Sequence, residues 1–299
     1  MDLDALLRCV GTTSCVVTQL TSGMIIGMLL FLIASGVTLI FGVLNVINFA
    51  HGSLYMIGAY AAWTFYQLTN SYFVSALGAA VAVGMLGVLF ERVLMSKVYG
   101  SNVLMQLLVC YAVVLISDDL VKIIWGPVPL SMGMPPEFRL PPIRFMGGVI
   151  PPFYLFMILA AMAIGLLLWL VIVRTRFGSI VRAAAINGPM VSALGIRVNL
   201  YYAAVFGIGS ALAGAAGALA APVRSLTPGM GFSILIESFI VTVIGGMGSI
   251  VGALVGALLI GLVRTFGSIG FPLFTDGLMF IFMTVILIVK PSGLFGKDV

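Results

Sequence analysis

Residues 20–42 read LTSGMIIGMLLFLIASGVTLIFG, without a single Asp, Glu, Lys or Arg. A helix needs about 20 consecutive apolar residues to cross a bilayer core of roughly 30 Å, so this stretch is long enough to span. The charge-free run around it extends from Cys9 to Phe90 and has room for three crossings. Over all 299 residues, 62% are apolar and 8% charged, against about 25% charged in an ordinary soluble domain. Water is therefore excluded as the main solvent of this surface. Lipid offers the backbone no hydrogen-bond partners, which leaves helices or closed barrels. Barrel strands alternate polar and apolar residues, whereas Phe153 to Val173 is apolar on every face. The chain reads as an all-α integral membrane protein with one transmembrane domain over residues 1–299.

Apolar runs place spans near residues 20–42, 53–69, 73–91, 103–125, 151–173, 200–222, 233–247, 249–267 and 275–290. This predicts a polytopic bundle of about eight to ten transmembrane or half-spanning helices. The runs 53–69 and 233–247 are short and glycine-rich, as half-spans or re-entrant segments would be. Basic residues cluster at Arg92 and Lys97, at Arg174, Arg176, Arg182 and Arg197, and at Lys290 and Lys297. The positive-inside rule makes all three clusters cytoplasmic, which puts the N-terminus outside and the C-terminus inside. The first span follows Asp2, Asp4 and a lone Arg8, and its apolar run is too long for a signal-peptide core, so it is expected to be retained. Residues 126–150 are then external, and Pro127, Pro129, Pro135, Pro136, Pro141 and Pro142 predict an extended, rigid loop there. The net charge of +5 sits between spans, where it sets topology, and gives no case for nucleic-acid binding.

Polar residues inside this pattern are the candidates for function. The segment Gly42 to Ser53, with Asn45, Asn48, His51 and Gly52, interrupts two apolar runs. It reads either as a discontinuous helix beside a translocation path or as a turn between two ordinary spans, with Asn45 ending one helix. His51 is the only histidine, so a histidine metal site or a Ser, His, Asp set has no basis. A structural imidazole bonded to a nearby carbonyl is expected instead. Gly245, Gly246 and Gly248 should break a helix, and the Gly-Ser endings of the two breaks (Gly52-Ser53, Gly248-Ser249) hint at an internal repeat. From Arg174 to Asn199, helix formers bracket Asn187, Gly188 and Pro189, as in a short helix lying across the cytoplasmic mouth. Glu237 is expected at the external headgroup level, solvated, with pairing to Arg264 as the alternative. Cys9 and Cys15 read equally as a disulfide or as two thiols. None of the four lysines has the glycine context of a phosphate-binding loop, so any ATP use belongs to a partner.

Three segments together resemble the permease subunits of high-affinity branched-chain amino-acid ABC importers. They are Gly42 to Gly58, with its Asn-Phe-Ala-His-Gly block, Arg182 to Ile196, and Val243 to Gly252. Phe90-Glu91-Arg92 and Lys290 to Gly296 fit the same pattern. The resemblance implies a non-enzymatic subunit of the bacterial inner membrane. Its partners would be a homologous second permease, two cytoplasmic ATP-binding subunits carrying ATP and Mg, a periplasmic substrate-binding protein and the surrounding lipid. It needs no cofactor of its own. It also implies a pathway near Asn45, Asn48, His51 and Gly52, with Gly245, Gly246 and Gly248 in the corresponding place of the second half. An ATPase-coupling segment would comprise Arg182, Asn187, Pro189, Leu194, Gly195 and Ile196. Ile186 and Asn187 stand where many relatives carry acidic residues, so docking would rest on shape, Arg182 and apolar contacts. Alternating access is the implied mechanism, for leucine-like amino acids, urea, amides or aromatic acids. A stand-alone ion-coupled transporter or channel is the rival.

Overall fold

The computed structural model describes residues 3–145 and 147–296; Asp2 and Lys297, which entered the charge reading, lie outside the described residues. The helices are α1 (Leu3–Val10), α2 (Thr13–Leu44), α3 (His51–Thr69), α4 (Tyr72–Phe90), α5 (Ser96–Val98), α6 (Val103–Trp125), α7 (Pro152–Arg174), α8 (Arg176–Ala193), α9 (Val198–Ala220), α10 (Met230–Gly245), α11 (Ile250–Gly270) and α12 (Thr275–Val289). A π-helical turn, Glu91–Met95, joins α4 to α5. Every apolar run of the sequence is a helix, and six helical stretches among the described residues are long and apolar enough to cross a membrane. Helix α10 has 16 residues, about 24 Å at the usual rise, which falls short of a full crossing.

Helix starts follow from local chemistry, because an N-terminal amide without water needs a protein partner. Asn102 accepts from the Met105 amide at 3.0 Å, Thr175 from Gly178 at 3.2 Å and Ser249 from Gly252 at 3.0 Å. Pro152 opens α7, where a missing N–H costs nothing.

The centre of the bundle is α2 and α9. Helix α2 is apolar all round and is buried without interruption from Gly27 to Ile40. Helix α9 packs through small residues, including Ser210, Ala213, Gly214 and Gly217, which let α3 and α4 approach its backbone closely. Two helix-break-helix units, α2–α3 and α10–α11, pack reciprocally, α2 against α11 and α10 against α3. Helices α6 and α12 turn apolar side chains outward, as lipid-facing helices do.

The expected extended loop at 126–150 is only partly extended. It folds into a 3-10 turn, Pro136–Phe138, and a two-stranded hairpin of β1 (Ile143–Phe145) and β2 (Gly148–Ile150), with Arg144 opposite Val149. Phe138 anchors the loop, its ring 5.1 Å from Phe153 and 5.6 Å from Tyr72. Leu130 and Leu226 exchange backbone hydrogen bonds of 3.0 and 2.8 Å, so this loop also holds the segment between α9 and α10. Cys9 and Cys15 are joined in a disulfide that ties α1 to α2, while Cys110 is a free, buried thiol.

Candidate functional site

The first break begins where α2 ends on Asn45, in the left-handed conformation at φ 52°, its amide donating to the Phe41 carbonyl at 2.9 Å. Asn tolerates this conformation better than other residues with a side chain. The chain from Asn45 to Ala50 then has no regular structure before α3 starts at His51. Asn48 shapes the re-entry. Its Oδ1 accepts from the Ala50 amide at 3.0 Å, its carbonyl accepts from the His51 amide at 3.2 Å, and the Cys110 thiol lies 3.9 Å from Oδ1.

His51 is completely buried where α2, α3 and α9 meet. A Cβ on Gly36 would stand 2.8 Å from its Nε2 and 2.6 Å from the Gly209 carbonyl, so the imidazole fills space that Gly36 leaves open. The sequence expectation of a well-bonded imidazole is corrected in one respect. The ring comes into reach of the Ile33 carbonyl, but neither ring nitrogen makes a well-formed hydrogen bond. Packing holds it in place. Gly52, one residue on, lies against the Gly231 carbonyl and 2.8 Å, measured from an added Cβ, from Leu235 Cβ. This is the contact of α3 with α10. Phe49 and Phe239 stack beside it with centroids 6.2 Å apart.

The second break is a tight turn between α10 and α11. Gly246 and Gly248 have φ of 95° and 92°, open to glycine and strained for other residues. The turn is packed from two sides. Gly42, near the end of α2, leaves room for Gly248 Cα, and the segment after α12 pairs with the end of α10, Leu294 N to Ile244 O at 2.8 Å and Phe295 N to Gly245 O at 3.0 Å. The two breaks flank α10. One end of that helix meets Gly52 and the other ends at the turn beside Gly42.

Glu237, in the middle of α10, departs from its expected position. It is buried, 7% exposed, and forms an ion pair with Arg264 of α11. The expectation of a solvated carboxylate at the headgroup level fails because Glu237 lies two turns along α10, past its partly exposed first turn and on the face that meets Arg264 of α11. A charge at such depth persists when it is paired. Glu237→Gln strands the Arg264 cation and is expected to cost roughly 3–5 kcal/mol of stability. Thermal unfolding in detergent checks this, and the double change Glu237→Gln with Arg264→Gln should recover part of the loss. A single variant that melts with the parent would contradict the role of the pair. Sequence reasoning missed Tyr55, near this pair, and Arg224, which Tyr55 meets. The Tyr55 hydroxyl faces the Arg224 guanidinium and lies within electrostatic reach of Glu237. The available signal was Arg224 itself, a cation between apolar runs.

At the opposite end of the helices from the hairpin, α8 bends at Asn187, whose backbone leaves the helical region at φ −151°. The bend is a cap. Asn187 Oδ1 accepts from the Met190 amide at 3.0 Å, which places Pro189 in the first turn of a second helical piece, where proline is tolerated. That piece ends at Gly195, φ 83°. Ile186, Met190 and Leu194 are 89%, 60% and 75% exposed, while Ile196 turns inward against Ala184, Val191 and Val198. Arg182 does not face outward freely. Its guanidinium donates to the Ile172 carbonyl near the end of α7 and reaches Ser179 Oγ.

The family of branched-chain amino acid transport system permease components matches residues 19–289. The chain is 33% identical over 292 residues to the high-affinity branched-chain amino acid transport system permease protein BraD of Pseudomonas aeruginosa, covering 93% of this chain and 95% of the relative. It is 30% identical over 295 residues to the LivH permease protein of Salmonella typhimurium, with the same coverage. It is 28% identical over 289 residues to the probable LivH permease of Methanocaldococcus jannaschii, covering 90% and 89%. No solved structure matches the chain. With a family match over nearly its whole length and the helical architecture that goes with it, this chain belongs to the permease components of branched-chain amino acid transport systems.

Proposed function

We propose that this chain is the membrane-spanning subunit of an ATP-driven importer that moves branched-chain amino acids or related small solutes inward by alternating access. The observation that carries the reading is the bent helix α8. It offers Ile186, Met190 and Leu194 at one end of the bundle, backed by Val191, Val198 and Ile196 from inside. A rigid knob with an apolar tip suits a groove on an ATPase, and Arg182, bonded to Ile172, ties the knob to α7. A nucleotide-driven movement at the knob would thus reach a spanning helix directly.

In this reading the end bearing α8 is cytoplasmic and the hairpin end faces outward, where the binding protein delivers solute. The Cys9–Cys15 disulfide, linked to the hairpin through Ser14 Oγ and the Gly147 carbonyl at 2.9 Å, suits an oxidising exterior. A second permease completes the pathway, which we place along α10 between the two breaks. Asn45, Asn48, His51 and Gly52 shape one break and Gly245, Gly246 and Gly248 the other. Buried His51 and Gly52 act as a packed pivot for α3 and α10. Glu237, already neutralised by Arg264, is a poor ion-coupling group, which weighs against the ion-driven rival.

Purification with neighbouring gene products, followed by reconstitution, tests the proposal. Co-isolation of ATP-binding subunits and leucine uptake that requires ATP and a binding protein are expected. Uptake driven by an ion gradient through this chain alone would overturn it.

A further inference from the structure

Near the hairpin end, Arg224 lines a cavity of about 260 Å³ together with Ser22, Ile25, Ile26, Leu29, Tyr154 and Val223. The cavity lies just below the roughly 300 Å³ at which drug-sized pockets begin, which leaves room for a small solute. Its walls come from α2, the start of α7 and the segment after α9, where Ile25, Ile26, Leu29 and Val223 form an aliphatic side and Ser22, Tyr154 and the Arg224 cation a polar one.

The two ion pairs among the described residues leave Arg224 out. Arg264 is matched by Glu237, and Lys122 by Asp119 at 3.0 Å. No carboxylate pairs with Arg224 among the described residues, although it is half-buried and faces the fully enclosed Tyr55. A guanidinium held among apolar walls attracts an anion, and a carboxylate matches its planar fork with two parallel hydrogen bonds. Glu237 does not supply that anion, since its charge is taken up by Arg264.

We infer that Arg224 and this cavity form a binding site for a small carboxylate with an apolar side chain, the carboxylate on the guanidinium and the side chain against Ile25, Ile26, Leu29 and Val223. The site selects for the carboxylate, so neutral solutes such as urea and simple amides are poor ligands. This rests on the importer reading only for placing the site on the entry side. The chemistry of the cavity stands without it.

The full-length chain in phosphatidylcholine nanodiscs, probed by saturation-transfer NMR, tests this without ATPase partners. L-leucine and 4-methylpentanoate should both receive magnetisation from the protein, and L-leucinamide at least fivefold less. Arg224→Gln should lower transfer to leucine at least fivefold, and Arg224→Lys should restore part of it by returning the cation. Equal transfer to leucine and leucinamide overturns the site, as does an Arg224→Gln chain that binds like the parent. An Arg224→Lys chain as inactive as Arg224→Gln, with both eluting as monodisperse folded protein, also overturns it by showing that shape and not charge matters. Adding phosphatidylglycerol to the discs separates a solute site from a lipid headgroup site. Complete loss of leucine transfer in those discs would assign the cavity to lipid and overturn the proposal. Failure of the importer reading appears elsewhere, as absent ATP-dependent uptake with leucine transfer intact.

Discussion

A Gly52→Leu substitution is expected to leave little or no monodisperse protein extractable from the membrane. A Cβ at this position would collide with the Gly231 carbonyl and stand 2.8 Å from Leu235 Cβ. The first of these neighbours is main chain of α10, which cannot swing aside as a side chain can. Overpacking against movable side chains costs about 1–3 kcal/mol, and separating two helix backbones should exceed that range. The neighbouring packing would be lost as well, because the imidazole of His51 is held against Gly36 by α3 staying where it is. Size-exclusion chromatography of a fluorescent fusion reads the result directly. Gly78→Ala is the comparison, since the nearest atoms to a Cβ there belong to the Phe65 ring at 3.1 Å, which can turn. Parental yield of Gly52→Leu would mean that the contact between α3 and α10 does not hold the bundle together.

The double substitution Ile186→Asp with Leu194→Asp should have the opposite profile, a protein that folds but does not transport. Both side chains are largely exposed, at 89% and 75%, so little intramolecular packing is lost, and surface changes of this kind usually alter stability by less than about 0.5 kcal/mol. An interface that closes over them would have to bury two carboxylates without partners. ATP-driven leucine uptake by the assembled transporter is expected to fall at least tenfold, with loss of the ATP-binding subunits on purification. Uptake within twofold of the parent would remove α8 from the coupling role. Gly195 is a less informative position, because its φ of 83° strains any side chain regardless of docking.

Much of this protein was legible in its sequence because lipid permits so few structures. The spans could be drawn from apolar runs alone, and Asn45, Gly246 and Gly248 marked breaks because few residues accept a positive φ. The segment around Asn187 and Pro189 was legible as a short helix with a breaker, but only the tertiary structure showed one longer helix bent there, with Asn187 capping its second half.

Sequence by itself thus determined the class of fold, the position of its nine apolar helices, and the family resemblance carried by the Asn-Phe-Ala-His-Gly block. It did not determine depth. Only the tertiary structure placed Glu237 inside the bundle against Arg264, buried His51 against Gly36, committed Arg182 to α7 and gave Arg224 a cavity to face. The physical reason is that hydropathy reports whether a segment prefers lipid. The partner of a buried charge, by contrast, depends on how helices far apart in the chain are set beside one another.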